Sequence, residues 1–149
     1  MQHPICRQIH RNGHWTGDSS RVMLNYEQRF LRRMVLETAH KQRFLVDLAK
    51  TTSLDHGDAF ELEDGRLVQV IAADEDLMQI TGDDLLRYAW HIGNRHTPCQ
   101  IEAGRLLVQR NHVIRDMLER IGATVTDVTA PFAPEGGAYG HGRTHGHAH

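Results

Sequence analysis

Leu77-Met78-Gln79-Ile80-Thr81-Gly82-Asp83-Asp84-Leu85-Leu86-Arg87-Tyr88-Ala89-Trp90-His91-Ile92-Gly93-Asn94 decides the fold, because the hydrophobic period changes inside it. Residues 77–80 read as a short strand. Thr81-Gly82-Asp83 then offers residues suited to capping a helix. Leu85, Leu86, Ala89 and Trp90 recur at helical spacing. Gly93 and Asn94 both tolerate the left-handed conformation that closes helices, so the predicted helix stops there. Working outward, residues 99–102 and 105–108 read as strands around Ala103-Gly104. Asn111 caps a second predicted helix, in which Val113, Ile114, Met117, Leu118 and Ile121 form one apolar stripe. Gly122 ends it, and residues 124–128 make a last strand. The order is β-α-β-β-α-β, the ferredoxin-like arrangement.

Upstream the period is shorter. Residues 33–37 and 43–48 flank a polar turn at 38–42. Residues 59–62 and 66–71 flank Asp64-Gly65, a strong hairpin signal. The pattern predicts an α+β chain in four parts: a loose extension over 1–20, a small all-β N-terminal domain over 21–73, a ferredoxin-like domain over 74–130, and a disordered His-rich tail over 131–149. Met23, just before the first patterned stretch, is a second possible start. Fold alone does not indicate function.

Composition narrows the function classes. Hydrophobic residues make up 40% of the 149 and charged residues 24%, enough for a packed core. The formal net charge of −2 lacks the basic excess expected of a nucleic-acid or membrane-surface binder. No apolar run approaches the roughly 20 residues of a membrane span, and the first residues carry no secretory pattern. Two cysteines, Cys6 and Cys99, form neither a disulfide framework nor a CxxC pair. The expected setting is the cytoplasm.

The twelve histidines stand out. His141, His145, His147 and His149 lie in the last nine residues, and His145-Gly-His147-Ala-His149 sets imidazoles two apart. Imidazole suits Ni, Cu and Zn. A metal-collecting tail is one reading of this end; an artificial tag is the other, against which the interruptions by Gly, Ala, Thr and Arg argue. His91 falls in the last turn of the first predicted helix, where a structural role is expected. His96 lies beyond the helix stop, on a loop, and is either a ligand or a plain surface residue. His112 opens the second helix and is an accessory ligand or an ordinary exposed first-turn residue. HExxH, nucleophile-elbow, phosphate-loop and dinucleotide motifs are all missing, so no enzyme activity is expected.

Tyr88-Ala-Trp-His-Ile-Gly-Asn-Arg-His96 resembles the signature of the urease accessory protein UreE family. His112-Val-Ile-Arg-Asp-Met-Leu-Glu-Arg-Ile-Gly122 is similar to that family's second helix. Pro131-Phe-Ala-Pro-Glu-Gly-Gly-Ala-Tyr139 is similar to its stretch before the histidine tail. Leu62-Glu-Asp-Gly-Arg-Leu-Val-Gln-Val70 also fits, so the resemblance covers residues 23–149. It implies a homodimeric nickel metallochaperone whose two copies of His96 meet at the dimer axis and bind Ni(2+). The tail histidines would complete or extend that site, and Zn(2+) or Cu(2+) would also bind. It further implies delivery to apo-urease with a urease maturation GTPase as partner, and no nucleic acid or membrane. Relatives carry a further histidine where this chain has Arg110, which cannot ligate and repels a divalent ion. A second His-x-His site is therefore not expected, and His112 stays accessory.

Three other function classes compete. A passive His-based buffer for Ni, Zn or Cu would bind metal without a dedicated client. An RNA-binding sheet would need aromatics and a basic face, which Ile101, Leu106, Leu107 and Val108 do not supply. A metallohydrolase would need a fixed site with an open coordination position.

Overall fold

The structure, a computed structural model, describes residues 3–136. It is a two-domain α+β protein, mostly strand with two helices. The chain divides into two compact units, Met1–Ala73 and Asp74–His149.

The first unit is one six-stranded sheet. Its strands are β1 (Ile5–His10), β2 (Ser20–Leu24), β3 (Phe30–Glu37), β4 (Arg43–Ser53), β5 (Ala59–Leu62) and β6 (Leu67–Ala72), in the order β2-β6-β5-β1-β4-β3. Alternate residues turn inward, as a sheet with one buried face requires. Phe44, Val46 and Leu48 of β4 meet Phe60 and Leu62 of β5 and Val68 and Val70 of β6 in a single core. The β5–β6 hairpin turns at Asp64-Gly65, where Gly65 takes φ +89, a conformation costly for any residue with a Cβ.

Residues 1–20 are not a loose extension. Ile5–His10 lies inside the sheet, parallel to β4 and antiparallel to β5, with Cys6 fully buried. The loop after it is clamped to the turn before β5. Buried Asp58 accepts hydrogen bonds from Arg11 Nη1 (2.8 Å) and from the amides of Asn12 and Asp55 (both 2.8 Å). Trp15 Nε1 donates to the Gly57 carbonyl at 2.9 Å. An ionised carboxylate leaves water only when so surrounded.

The second unit carries β7 (Asp74–Thr81), α1 (Leu85–Asn94), β8 (Gln100–Ile101), β9 (Leu106–Gln109), α2 (His112–Arg120) and β10 (Thr124–Pro131). Its four strands lie in the order β10-β7-β9-β8, all neighbours antiparallel. Met78, Ile80, Leu106 and Val108 face the helices and pack with Tyr88, Ile92, Ile114 and Leu118.

Several local expectations change. The N-cap of α1 is Asp84, with no side-chain capping bond, so Thr81-Gly82-Asp83 does not cap it. Tyr88 and Ile92 are the buried positions of α1; Leu86 and Trp90 point outward, 87% and 63% exposed. The strand expected over 99–102 shortens to Gln100–Ile101. Residues 131–136 are not part of a loose tail: Pro131 pairs with Asp74, and Phe132 is fully buried. His141, His145, His147 and His149 lie outside the described residues.

Candidate metal centre

His96 stands at the turning point that closes α1. Gly93 and Asn94 remain helical, and the left-handed residue is His96 itself, at φ +58. Its amide donates to the Gly93 carbonyl at 2.9 Å, and the Thr97 amide donates to the Ile92 carbonyl at 3.3 Å. This pair of bonds is the Schellman closure, whose turning point is usually glycine. Histidine is among the non-glycine residues enriched there, but the conformation still carries strain on the order of 1 kcal/mol. The motif exposes the His96 residue at the end of the helix.

A shallow pocket of about 240 Å³ opens beside it, lined by Gly93, His96, Cys99, Ile101 and Glu135 among others. Cys99 is half-buried, and its thiol is pushed up from an ordinary 9.0 to about 11, first by burial and then by the charge of Glu135. It therefore stays protonated at neutral pH and is a poor resting ligand. Cys99 packs against the core of this unit and also forms pocket wall. Glu135 is a pocket residue that no sequence motif singled out. Its amide donates to the Cys99 carbonyl at 2.9 Å, a long-range pairing invisible to local pattern.

Around the pocket the surface is apolar where water would be expected. Leu86 and Trp90 sit one turn apart on the outer face of α1, and Ile101 on edge strand β8 is 53% exposed. Val113 on α2 is exposed as well, at 47%. His91 is half-buried with its ring edge-on to Trp90, centroids 5.0 Å apart.

His112 is the first residue of α2. Asn111 caps the helix, its Oδ1 accepting from the amides of Val113 (2.9 Å) and Ile114 (3.1 Å). The His112 side chain is exposed and borders two clefts, one with Arg110, Arg115 and Asp127, the other with Arg95 and Asp116. Neither cleft includes His96. Arg110 donates to the carbonyls of Leu77 (3.1 Å) and Val128 (3.2 Å), clipping β7 to β10. The guanidinium thus serves the sheet. Among the described residues no three His, Cys, Asp or Glu side chains are grouped to hold one ion. Likewise, no described helix is long and apolar enough to cross a membrane.

These features define a class: a two-domain α+β protein with His96 and His112 exposed on its second unit. Comparison with known proteins gives the family. Residues 3–73 match the model of the UreE urease accessory protein N-terminal domain, and residues 75–149 match that of its C-terminal domain. The urease accessory protein UreE of Ruegeria pomeroyi is 68% identical over 149 residues, covering all of both chains. That of Cereibacter sphaeroides is 59% identical over 98% of this chain and 80% of its own. That of Rhodobacter capsulatus is 53% identical over 100% and 94%. The chain belongs to the UreE urease accessory protein family. The first match starts at residue 3, so the resemblance extends over the N-terminal strand that the sequence reading had set outside it.

Proposed function

We propose that this protein is a nickel metallochaperone that captures Ni(2+) and delivers it to apo-urease, without catalysing a reaction itself. The observation that carries the reading is the setting of His96. Exposed His96 is held on a strained helix closure in a pocket that Ile101 also lines, on a unit whose Leu86 and Trp90 face outward. One chain's described residues supply no second and third ligand around it. A homodimer that buries these residues across a two-fold axis brings two copies of His96 together, since an isologous interface presents the same patch twice. His141, His145, His147 and His149 complete or extend the site, and His112 is an accessory ligand.

Few ligands, from separate chains and from a terminus, suit an ion that has to be handed on. Imidazole binds Ni(2+) and also Zn(2+) and Cu(2+), with Cu(2+) held more tightly. Selection of nickel then depends on the partners, a urease maturation GTPase and the apo-urease complex. The second unit is read as a ferredoxin-like metal-binding domain, on the strength of its element order and the strand order β10-β7-β9-β8. The first unit is read as the β-rich N-terminal domain, and the protein as cytoplasmic, acting without nucleic acid or membrane.

The test is nickel titration of the wild type and of His96→Ala, each with the four tail histidines replaced by alanine, with mass followed in parallel. The expected outcome is loss of the dimer-bridging ion in His96→Ala with the fold retained. Unchanged stoichiometry and affinity would sink the assignment. Restoring the tail should raise capacity. Nickel binding to imidazoles should weaken as pH falls through about 6.5, because a protonated ring has no free lone pair. A flat profile from about pH 8 to 5 points to other ligands. Metal binding without association with the maturation GTPase, and urease activity that survives deletion, would make the protein a passive buffer.

A further inference from the structure

The first unit holds a cavity of about 320 Å³ near the start of β4, bounded by the β3–β4 turn and the β5–β6 hairpin. Phe44, Leu62 and Val68, all buried members of the core, form its apolar wall. Thr38, Arg43 and Arg66 are among its polar members, and no acidic residue lines it. Small-molecule sites combine an apolar body with a few polar groups in this way, at volumes from roughly 300 Å³ upward.

These polar groups have donors to spare. Thr38 is only 6% exposed, and its Oγ1 accepts from the Gln42 amide at 3.2 Å. A hydroxyl also donates, and among the described residues nothing accepts the Thr38 proton. Arg43 stands across the β3–β4 ladder from Glu37, yet its guanidinium makes no ion pair or hydrogen bond among the described residues. Arg66 donates Nε to Asp64 Oδ2 at 2.7 Å, which leaves both of its terminal NH2 groups. Both arginines are exposed, so they meet solvent and ligand at the same place. One hydroxyl and two guanidinium groups thus converge on a cavity with no carboxylate of its own. A carboxylate answers that set, because it offers about four lone-pair sites and takes a guanidinium in a two-bond fork.

We propose that this cavity binds a small aliphatic carboxylate, its tail against Phe44, Leu62 and Val68 and its oxygens on Thr38, Arg43 and Arg66. At about 30 Å³ per water the space holds about ten waters, so the ligand has roughly ten non-hydrogen atoms or fewer. Burial of the tail supplies the attraction, and the donors select the charged head. The site lies wholly in the first unit and goes beyond the nickel reading.

The test is an amide NMR titration of the full chain with hexanoate, 1-hexanol and acetate. Hexanoate should give saturable shifts at Phe44, Leu62 and Val68, with a dissociation constant on the order of 1 mM for a ligand this small. Hexanol carries the tail alone and acetate the head alone; each should bind at least about tenfold more weakly. Arg43→Gln and Arg66→Gln should each weaken hexanoate about three- to tenfold and leave hexanol unchanged. Their spectra also report that the fold persists. An acetylated tripeptide ending in leucine separates a chain terminus from a free acid, and it should bind no better than hexanoate. The proposal is overturned if hexanoate fails to saturate by about 10 mM, or if hexanol binds as well. It is overturned equally if the arginine variants bind hexanoate unchanged, or if the tripeptide binds more tightly.

Discussion

The two helices of the second unit end in the same pair of hydrogen bonds and differ in the residue at the turn. At the end of α2, Gly122 takes φ +97, its amide reaches the Glu119 carbonyl at 3.1 Å, and the Ala123 amide reaches Leu118 at 3.0 Å. At the end of α1 the same two bonds form around His96 at φ +58. Glycine adopts this conformation freely; an L-residue pays on the order of 1 kcal/mol. The α2 closure is relaxed, whereas the α1 closure carries strain at an exposed histidine. Residues kept in sparsely populated backbone regions cluster at functional sites. The helix starts contrast too: Asn111 accepts two amide bonds, and Asp84 makes no side-chain capping bond.

Exchanging the two turning points breaks the comparison most sharply. His96→Gly should abolish the nickel binding proposed for His96, read by titration in the tail-substituted background, and should raise unfolding stability by about 0.5 kcal/mol. A variant that loses nickel and also loses stability would refute the strain argument. Gly122→Ala should do the reverse, costing about 1 kcal/mol with nickel binding intact. A Cβ there lies 3.8 Å from Tyr88 Oη, an ordinary contact, so the backbone supplies the penalty. Removing the caps sharpens the second contrast. Asn111→Ala should cost about 1 kcal/mol by denaturant unfolding. Asp84→Ala should cost no more than a few tenths, since its exposed ion pair with Arg87 is worth little.

The smallest effect concerns the thiols, one in each unit. Cys6 and Cys99 are both raised from 9.0 to about 11, chiefly by burial. The folded state therefore favours the neutral thiol. That contribution is complete below about pH 9 and is lost as pH rises from 9 towards 11, where the folded chain holds more protons than the unfolded one. Alkaline unfolding of the Cys6→Ser and Cys99→Ser variants should show a shallower loss over that window; slopes equal to the wild type's would count against it.

Where the neighbour in space is also a neighbour in sequence, the reading succeeded. The β5–β6 hairpin turned at Asp64-Gly65, and Asn111 capped α2, because each depends on a few consecutive residues. The strand Ile5–His10 escaped because its partners are β4 and β5, some 40 to 55 residues away, its register with β5 shifts at Cys6/Gln8, and only Cys6 is fully buried. Gly93-Asn94 was a sound closing signal by residue type, and α1 does end at Asn94, yet the left-handed turn falls two residues on, at His96. Burial of Ile92 and the bond from Thr97 to its carbonyl fix the last turn, and neither is visible in a propensity. Leu86 and Trp90 kept helical spacing and still faced outward, since spacing cannot say which of two adjacent apolar stripes meets the core.

By itself the sequence determined the α+β pattern, the placement of His96 beyond a helix and of His112 at the head of another, and the kinship carried by Tyr88 to His96. These rest on local periodicity and on residue identity. Only the tertiary structure decided that His96 occupies the strained turning point, that Cys99 and Glu135 share its pocket, and that Gln100 Oε1 accepts from the Ala133 amide. Each of those depends on which distant backbone groups remain to be paired once the sheet has formed, and one stretch of chain read alone does not contain that information.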